Sequence, residues 1–178
     1  MNATRIQKDG LKLLFICTHN RCRSILCEAI TNHYGNQLLE AYSAGSAPAG
    51  EVFPLSILAL QAGGIATCGL KSQSWDAFEA LEPDIVITVC DSAAQETCPA
   101  WFGKASTLHW PLPDPSKMAG NDTEILEAFS RLIDYIANTI QHILNMVNTA
   151  CSKAEKLKAI RTALESVDSI ELGQGALA

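Results

Sequence analysis

Short apolar runs alternate with longer amphipathic stretches along this chain. The runs at 11–16 (LKLLFI) and 84–90 (DIVITVC) are typical of buried strands, and weaker patterns predict strands at 41–44 and 106–110. Stretches with apolar residues at helical spacing predict helices at 23–34, 54–62 and 125–147, with one more around 157–167. Because strands alternate with helices, the predicted fold class is an α/β domain with a parallel sheet.

The alternation continues without a repeat, a low-complexity tract or a linker up to about residue 150. We therefore predict one domain over residues 1–150, followed by a helical extension and tail over residues 151–178. The first ten residues are polar, which favours a chain without a signal peptide. No apolar run reaches the roughly 18 residues that a membrane span needs, so no membrane contact is expected.

Composition and charge narrow the range of partners. The hydrophobic fraction of 48% and the charged fraction of 18% are typical of a globular protein. The net charge of -6 argues against nucleic acid or an anionic membrane as the main partner, because both require a basic face. The 7 cysteines are scattered rather than spaced as a disulfide framework, which favours a cytoplasmic protein with reduced thiols.

A polar loop, CTHNRCRS at 17–24, lies between the first predicted strand and the first predicted helix. A tight loop at a helix N-terminus presents backbone N–H groups that suit a tetrahedral oxyanion. Arg23 adds a planar guanidinium that can bind two oxygens at once. The residues expected to surround the anion are Thr18, His19, Asn20, Arg21, Cys22, Arg23 and Ser24.

Cys17 begins this loop and is the predicted nucleophile. Its thiolate can be stabilised by the loop N–H groups, by Arg23 and by the hydroxyl of Ser24. The alternative is a buried thiol that only packs at a strand end. The spacing Cys-x5-Arg-Ser in a strand–loop–helix context favours the nucleophile, and the chain lacks the glycine motifs of nucleotide-binding loops.

Four segments in order carry a resemblance to a known family: CTHNRCRS, SAGS at 43–46, VITVCDSAAQETCP at 86–99, and Asp114-Pro115. The chain resembles the low-molecular-weight protein tyrosine phosphatases and their relatives, the thiol-dependent arsenate reductases, over roughly residues 11–148. The resemblance implies a four-stranded parallel sheet flanked by helices. His19 departs from the pattern, because the family usually has glycine there.

Cys90 and Cys98 favour the reductase over the phosphatase. Cys17 and Cys90 both follow predicted parallel strands, whose carboxyl ends share one edge of the sheet, and Cys98 follows eight residues later. The resemblance implies that Cys17 attacks arsenate, that Cys90 forms a disulfide with Cys17 and releases arsenite, and that Cys98 then takes over the disulfide with Cys90. Two thiols supply the two electrons that the reduction requires.

No bound cofactor is expected, and the reductant is an external thiol. Thioredoxin is one candidate donor. The seven residues between Cys90 and Cys98 are one more than is typical of the thioredoxin-linked enzymes, which leaves glutathione and glutaredoxin as the other candidates.

Asp114 matches the family's general acid, although Asp-Pro is also common in simple turns. The phosphatases usually have an aromatic residue after Asp-Pro, whereas this chain has Ser116, so a phosphotyrosine substrate is the less favoured alternative.

Two further possibilities involve metals. A non-catalytic protein could bind zinc or arsenite through Cys17, Cys22, Cys90 and Cys98, but paired ligand knuckles are absent. Asn20 and Glu28 match positions that hold potassium in some arsenate reductases, and a structural role suits them equally.

Overall fold

One parallel sheet forms the centre of the molecule. The computed structural model describes residues 10–96 and 99–167, and within them four strands pair in the order β2-β1-β3-β4. All three pairings are parallel. The strands are β1 (Leu11–Ile16), β2 (Leu39–Ala44), β3 (Ile85–Thr88) and β4 (Ser106–His109). The predicted four-stranded parallel sheet with flanking helices is therefore confirmed, although β3 is shorter than the apolar run that predicted it.

The helices are α1 (Arg23–Tyr34), α2 (Pro54–Ala62), α3 (Asp91–Gln95), α4 (Asp122–Thr149) and α5 (Lys153–Ser166). Helix α1 packs against β1 and β2, and α4 packs against α1, α2 and α5. The core contains the central strands and the apolar faces of these helices, including Phe15, Phe129 and Leu132, which are fully buried. None of the described helices is long and apolar enough to span a bilayer.

Helix α4 begins three residues before the predicted start because of a capping box. The side chain of Asn121 accepts a hydrogen bond from the Glu124 N–H, and the Glu124 carboxylate accepts one from the Asn121 N–H. This reciprocal pair satisfies two N–H groups that would otherwise have no partner at the helix start.

Helix α5 is the extension predicted from the sequence. Its Ile160, Ala163 and Leu164 are buried, and Lys153 forms an ion pair with Asp84 just before β3. Arg161 donates to the Ser106 hydroxyl at the start of β4, at 3.1 Å. Helix α5 therefore anchors at the amino ends of the strands, opposite the predicted anion loop. The domain boundary near residue 150 stays a prediction.

Candidate active site

The loop over residues 17–24 connects β1 to α1 and turns its N–H groups inward. The carbonyls of Thr18, His19 and Arg21 accept hydrogen bonds from the backbone N–H groups of Ala47, Ala49 and Phe53, each at 2.9 Å. In a trans peptide unit the next N–H points the opposite way from the carbonyl. The N–H groups of the following loop residues therefore face away from the segment 47–53, as an oxyanion-binding loop requires.

The sulfur of Cys17 lies within hydrogen-bond distance of two groups of this loop. The backbone N–H of Asn20 donates to Cys17 Sγ at 3.2 Å, and Ser24 Oγ lies 3.0 Å from the same sulfur. Asn20 Nδ2 donates to Ser24 Oγ at 2.9 Å, so the serine proton is available for the sulfur. Both contacts therefore direct a hydrogen-bond donor at the sulfur.

Asn20 organises the loop. The residue is fully buried and has a left-handed φ of 44°, which asparagine tolerates better than most residues. Its Nδ2 donates to Ser24 and to Ser43 Oγ (2.8 Å), while its Oδ1 accepts from the Gln73 N–H (2.8 Å). Ser43 and Gln73 were not predicted as site residues, although Ser43 belongs to the SAGS segment.

Arg23 pairs with Asp114 in this structure. Arg23 Nη2 donates to Asp114 Oδ2 at 2.9 Å and Nη1 donates to the Leu112 carbonyl at 3.2 Å. The guanidinium N–H groups that were predicted to bind two oxygens of the anion are therefore partly engaged by protein groups, because the Asp114 carboxylate is a charged acceptor within reach. Nε of Arg23 is buried and has no partner among the described residues.

Asp114 also caps a short turn. Its Oδ1 accepts from the N–H of Ser116 at 3.1 Å and from the Ser116 hydroxyl at 2.6 Å, at the start of a 3-10 turn over Pro115–Lys117. Asp114 therefore both stabilises this turn and lies beside the anion loop, where it pairs with Arg23. In the sequence, Ser116 stood out only because an aromatic residue is usual at its position. In the structure, Ser116 holds the Asp114 carboxylate in place.

A cavity of about 170 Å³ lies over the loop. It is lined by Cys17, His19, Arg21, Cys22, Arg23, Asp114, Ser116 and Lys117. The set is polar and includes three cations, Arg21, Arg23 and Lys117, against one carboxylate, which suits a small oxyanion. Nothing in the sequence predicted Lys117 as a site residue, because only the turn after Asp114 brings it to the cavity.

Cys90 reaches the same edge of the sheet. The Val89 N–H donates to the Ile16 carbonyl at 2.8 Å, which continues the pairing of β1 and β3 toward Cys17 and Cys90. Thr18 Oγ1 lies 3.8 Å from Cys90 Sγ and also donates to Glu96 at 3.3 Å. Cys90 is buried and is the N-cap residue just before α3. Its sulfur accepts a hydrogen bond from the Ala93 N–H at 3.4 Å. Cys98 lies outside the described residues.

The neighbouring thiols are in environments unsuited to a thiolate. Burial raises the pKa of Cys22, and the charge of Asp114 raises it further. Burial likewise raises the pKa of Cys27 well above its ordinary value, with an added contribution from Cys17. Among the described residues, no group of three or more His, Cys, Asp or Glu side chains could hold a metal ion.

Asn20 and Glu28 are joined through the Ser43 hydroxyl. Ser43 Oγ donates to Glu28 Oε2 at 2.6 Å, and Asn20 directs its amide nitrogen, not its oxygen, toward Ser43. The oxygen of Asn20 already accepts from Gln73. These hydrogen bonds give both residues a structural role beside the loop, and the potassium site stays a prediction.

Known proteins match most of the chain. The family model described as low molecular weight phosphotyrosine protein phosphatase matches residues 12–157. An arsenate reductase of Halalkalibacterium halodurans is 33% identical over 129 residues, which cover 72% of this chain and 91% of that protein.

Solved structures show the same fold. An arsenate reductase in a phosphate-binding state has a TM-score of 0.62 at 24% identity, covering 76% of this chain and 97% of the other. A thioredoxin-dependent arsenate reductase of Corynebacterium glutamicum has a TM-score of 0.55 at 28% identity, covering 77% of this chain and 65% of the other.

Proposed function

Because the chain belongs to the low molecular weight phosphotyrosine protein phosphatase family, we propose that it is an arsenate reductase that works through a relay of cysteines. The observation that carries the proposal is the second thiol at the loop. A phosphatase of this kind needs only Cys17, whereas Cys90 is in contact with Thr18 of the same loop. The names of the curated relatives support the same substrate.

In the first step, the Cys17 thiolate attacks the arsenic of bound arsenate. An As–O bond breaks as a sulfur–arsenic bond forms, and Asp114, once protonated, supplies the proton with which the departing hydroxide leaves as water. The hydrogen bonds from Asn20 and Ser24 stabilise the thiolate before attack. The inward N–H groups hold the remaining oxygens.

In the second step, an oxygen of the arsenic adduct takes up the Cys90 proton, and the Cys90 thiolate attacks the Cys17 sulfur. A Cys17–Cys90 disulfide forms, the sulfur–arsenic bond breaks, and its electron pair stays on arsenic. Arsenic is thereby reduced by two electrons and leaves as arsenite, while the two thiols are oxidised. Cys98 then attacks Cys90, which frees Cys17 and leaves a Cys90–Cys98 disulfide for an external reductant.

Thioredoxin and glutathione with glutaredoxin remain the two candidate donors. A relative of known structure is named as thioredoxin-dependent, which favours thioredoxin for this chain. The longer spacing between Cys90 and Cys98 leaves glutathione and glutaredoxin as the other candidates. One measurement tests both: arsenate-dependent consumption of NADPH with the thioredoxin system and with the glutathione–glutaredoxin system, supplied separately.

Replacing the nucleophile tests the central assignment. Cys17→Ser should abolish turnover, because a serine hydroxyl is far less nucleophilic than a thiolate at neutral pH. Cys68→Ser is the matched control, since that thiol is exposed and lies outside the cavity, and it should keep full activity. More than about a tenth of parental activity in Cys17→Ser would exclude Cys17 as the nucleophile.

Phosphate-ester hydrolysis is the second candidate activity, favoured by the position of Asp114 beside Arg23 at the loop. A small aryl phosphate should be hydrolysed slowly, and Cys90→Ser should leave that rate nearly unchanged. Loss of hydrolysis in Cys90→Ser would mean that Cys90 supports the loop rather than the relay. Efficient phosphotyrosine hydrolysis without arsenate reduction by either donor would establish the phosphatase instead.

A further inference from the structure

Two arginine side chains in the cavity carry buried N–H groups without acceptors. Nε of Arg21 and Nε of Arg23 are both inaccessible to solvent, and neither has a hydrogen-bond partner among the described residues. Both arginines line the cavity over Cys17. A buried donor without a partner is costly in a folded protein, so neither guanidinium has its full set of acceptors in this structure.

Arg21 is held in place by the body of the molecule. Its guanidinium carbon lies 4.8 Å from the centre of the Phe53 ring, and its carbonyl accepts from the Phe53 N–H. The ring of Phe53 in turn stacks on the buried ring of Phe129 at 5.9 Å. A guanidinium that stacks on a ring keeps its charge and its N–H groups, which lie in its plane and remain able to bind an anion.

The charges around the cavity leave a role for a second arginine. The positive charge of Arg23 is paired with Asp114 at 2.9 Å, whereas no described carboxylate forms an ion pair with Arg21. The reacting state adds the thiolate of Cys17 and a doubly charged oxyanion. Until Asp114 takes up a proton, Arg23 shares its charge with that carboxylate, so Arg21, with Lys117 on the same cavity, supplies the further positive charge that the incoming oxyanion requires.

We propose that the side chain of Arg21 is a second guanidinium ligand for the tetrahedral oxyanion and, with Arg23, forms a two-arginine clamp. The inference deepens the proposed function and rests on it for the identity of the oxyanion. The clamp selects a bare oxyanion over an aryl ester, because an ester replaces the hydroxyl oxygen of the oxyanion by an aryloxy group, which is a weaker hydrogen-bond acceptor and carries a bulky apolar ring. Arg21 therefore makes inorganic arsenate or phosphate the preferred ligand class.

A structural role through Phe53 is the competing explanation, and two substitutions separate the roles. Arg21→Met keeps an apolar stem over the Phe53 ring but removes every N–H. Arg21→Lys keeps the charge but removes the planar fork. The matched control is Arg161→Met on α5, an exposed arginine that lies outside the cavity. Thermal melting of each variant checks the fold.

Inorganic phosphate is the probe, and its Kd is measured by its protection of Cys17 from alkylation, which requires no turnover. Arg21→Met should raise the phosphate Kd about 10- to 100-fold and Arg21→Lys by less, as expected for the loss of a charge-assisted hydrogen bond. Arg161→Met should leave the Kd unchanged. The KM for a small aryl phosphate should rise much less than the phosphate Kd in Arg21→Met.

A phosphate Kd within about twofold of the parent in both Arg21 variants would overturn the clamp, since no charge-assisted bond would have been lost. An equal rise in the phosphate Kd and the aryl phosphate KM would also overturn it, in favour of a general role in loop structure. If Arg21→Met fails to fold, the same two comparisons in Arg21→Lys decide. Absence of arsenate reduction in the parent would overturn the proposed function and leave the phosphate result for Arg21 standing.

Discussion

The sulfur of Cys17 receives hydrogen bonds from a backbone N–H and from a serine hydroxyl that is oriented by Asn20. This arrangement explains why asparagine and serine accompany the cysteine in the loop. Asn20 supplies the left-handed backbone and directs its amide to Ser24, so that the Ser24 proton is left for the sulfur. The reactivity of one atom thus depends on two neighbouring side chains.

Ser24→Ala should therefore lower the rate of the first chemical step by about 10- to 100-fold, the range expected for losing a hydrogen bond to a charged group. The rate of Cys17 alkylation by iodoacetamide at neutral pH measures the effect directly. Ser56→Ala is the control, because Ser56 is also a buried serine but its hydroxyl lies beside the Cys22 thiol rather than the Cys17 sulfur. Equal rates in the two variants would contradict the assignment of Ser24.

Glu28 predicts a pH dependence of stability. Burial raises its pKa, and the hydrogen bond from Ser43 and the charge of Lys71 offset part of that rise. Above the ordinary carboxyl pKa of about 4.3, the folded state holds this proton more tightly than the unfolded state does. The free energy of unfolding therefore falls as pH rises through the raised pKa, and the stabilising contribution is complete only at lower pH.

Glu28→Gln removes this titration while keeping an oxygen that can accept from Ser43. The Tm of the variant minus that of the parent should become more positive as pH rises from about 4 to about 8, because only the parent loses stability to deprotonation. Glu51→Gln replaces an exposed carboxylate and should show no such trend. A Tm difference that is constant over this range would show that Glu28 keeps an ordinary pKa.

At the scale of secondary structure, helix α5 completes the core at the edge of the fold. Ile160 is fully buried, and the helix begins with a capping box in which Ser152 accepts from the Glu155 N–H and Glu155 accepts from the Ser152 N–H. Its polar contacts to Asp84 and Ser106 reach the amino ends of β3 and β4. These contacts indicate that α5 contributes to stability rather than to chemistry.

Ile160→Ala should lower the free energy of unfolding by about 2–5 kcal/mol through the cavity that it leaves. Leu58→Ala on α2 is the control, because that side chain is 51% exposed and its truncation should cost little. Denaturant unfolding measures both. A loss below about 1 kcal/mol in Ile160→Ala would indicate that α5 is only loosely attached. The activity per folded molecule should be unchanged in either variant.

Across the whole molecule, the parallel sheet places the carboxyl ends of β1 and β3 side by side. Cys17 and Cys90 follow these adjacent strands. As a result, Thr18 of the loop contacts Cys90, which lies 72 positions later in the sequence. Helix α3 is a single short helix directly after Cys90. A segment of this length can unwind at little cost, because so few hydrogen bonds hold it together.

Cys98→Ser should release one equivalent of arsenite and then stop with a Cys17–Cys90 disulfide, because the thiol that resolves it is missing. Mapping of disulfides after a single turnover tests this outcome, and Cys151→Ser, which alters an exposed thiol on the far extension, is the control. Oxidation of the parent should also increase hydrogen exchange over residues 91–96. Sustained turnover of Cys98→Ser with thioredoxin would remove Cys98 from the relay.

The sequence alone determined the elements and the loop. Apolar periodicity predicted the four strands and the four longer helices within a few residues, since that pattern reflects which faces of an element are buried, but it did not predict the short helix α3. The spacing of Cys17, Arg23 and Ser24 predicted a thiol in an anion loop, because those residues lie within one short segment whose geometry is local. The motif order then identified the family.

Only the tertiary structure decided which distant side chains complete the site. Asn20 contacts Ser43 and Gln73, and Arg23 contacts Asp114, between residues that are 23 to 91 positions apart in the sequence. Lys117 also reaches the cavity from a distant segment. Such contacts depend on how the strands pair and how the loops after them fold back, which no local pattern encodes. The pairing of Arg23 with Asp114, and with it the role left for Arg21, therefore became visible only when the chain was folded.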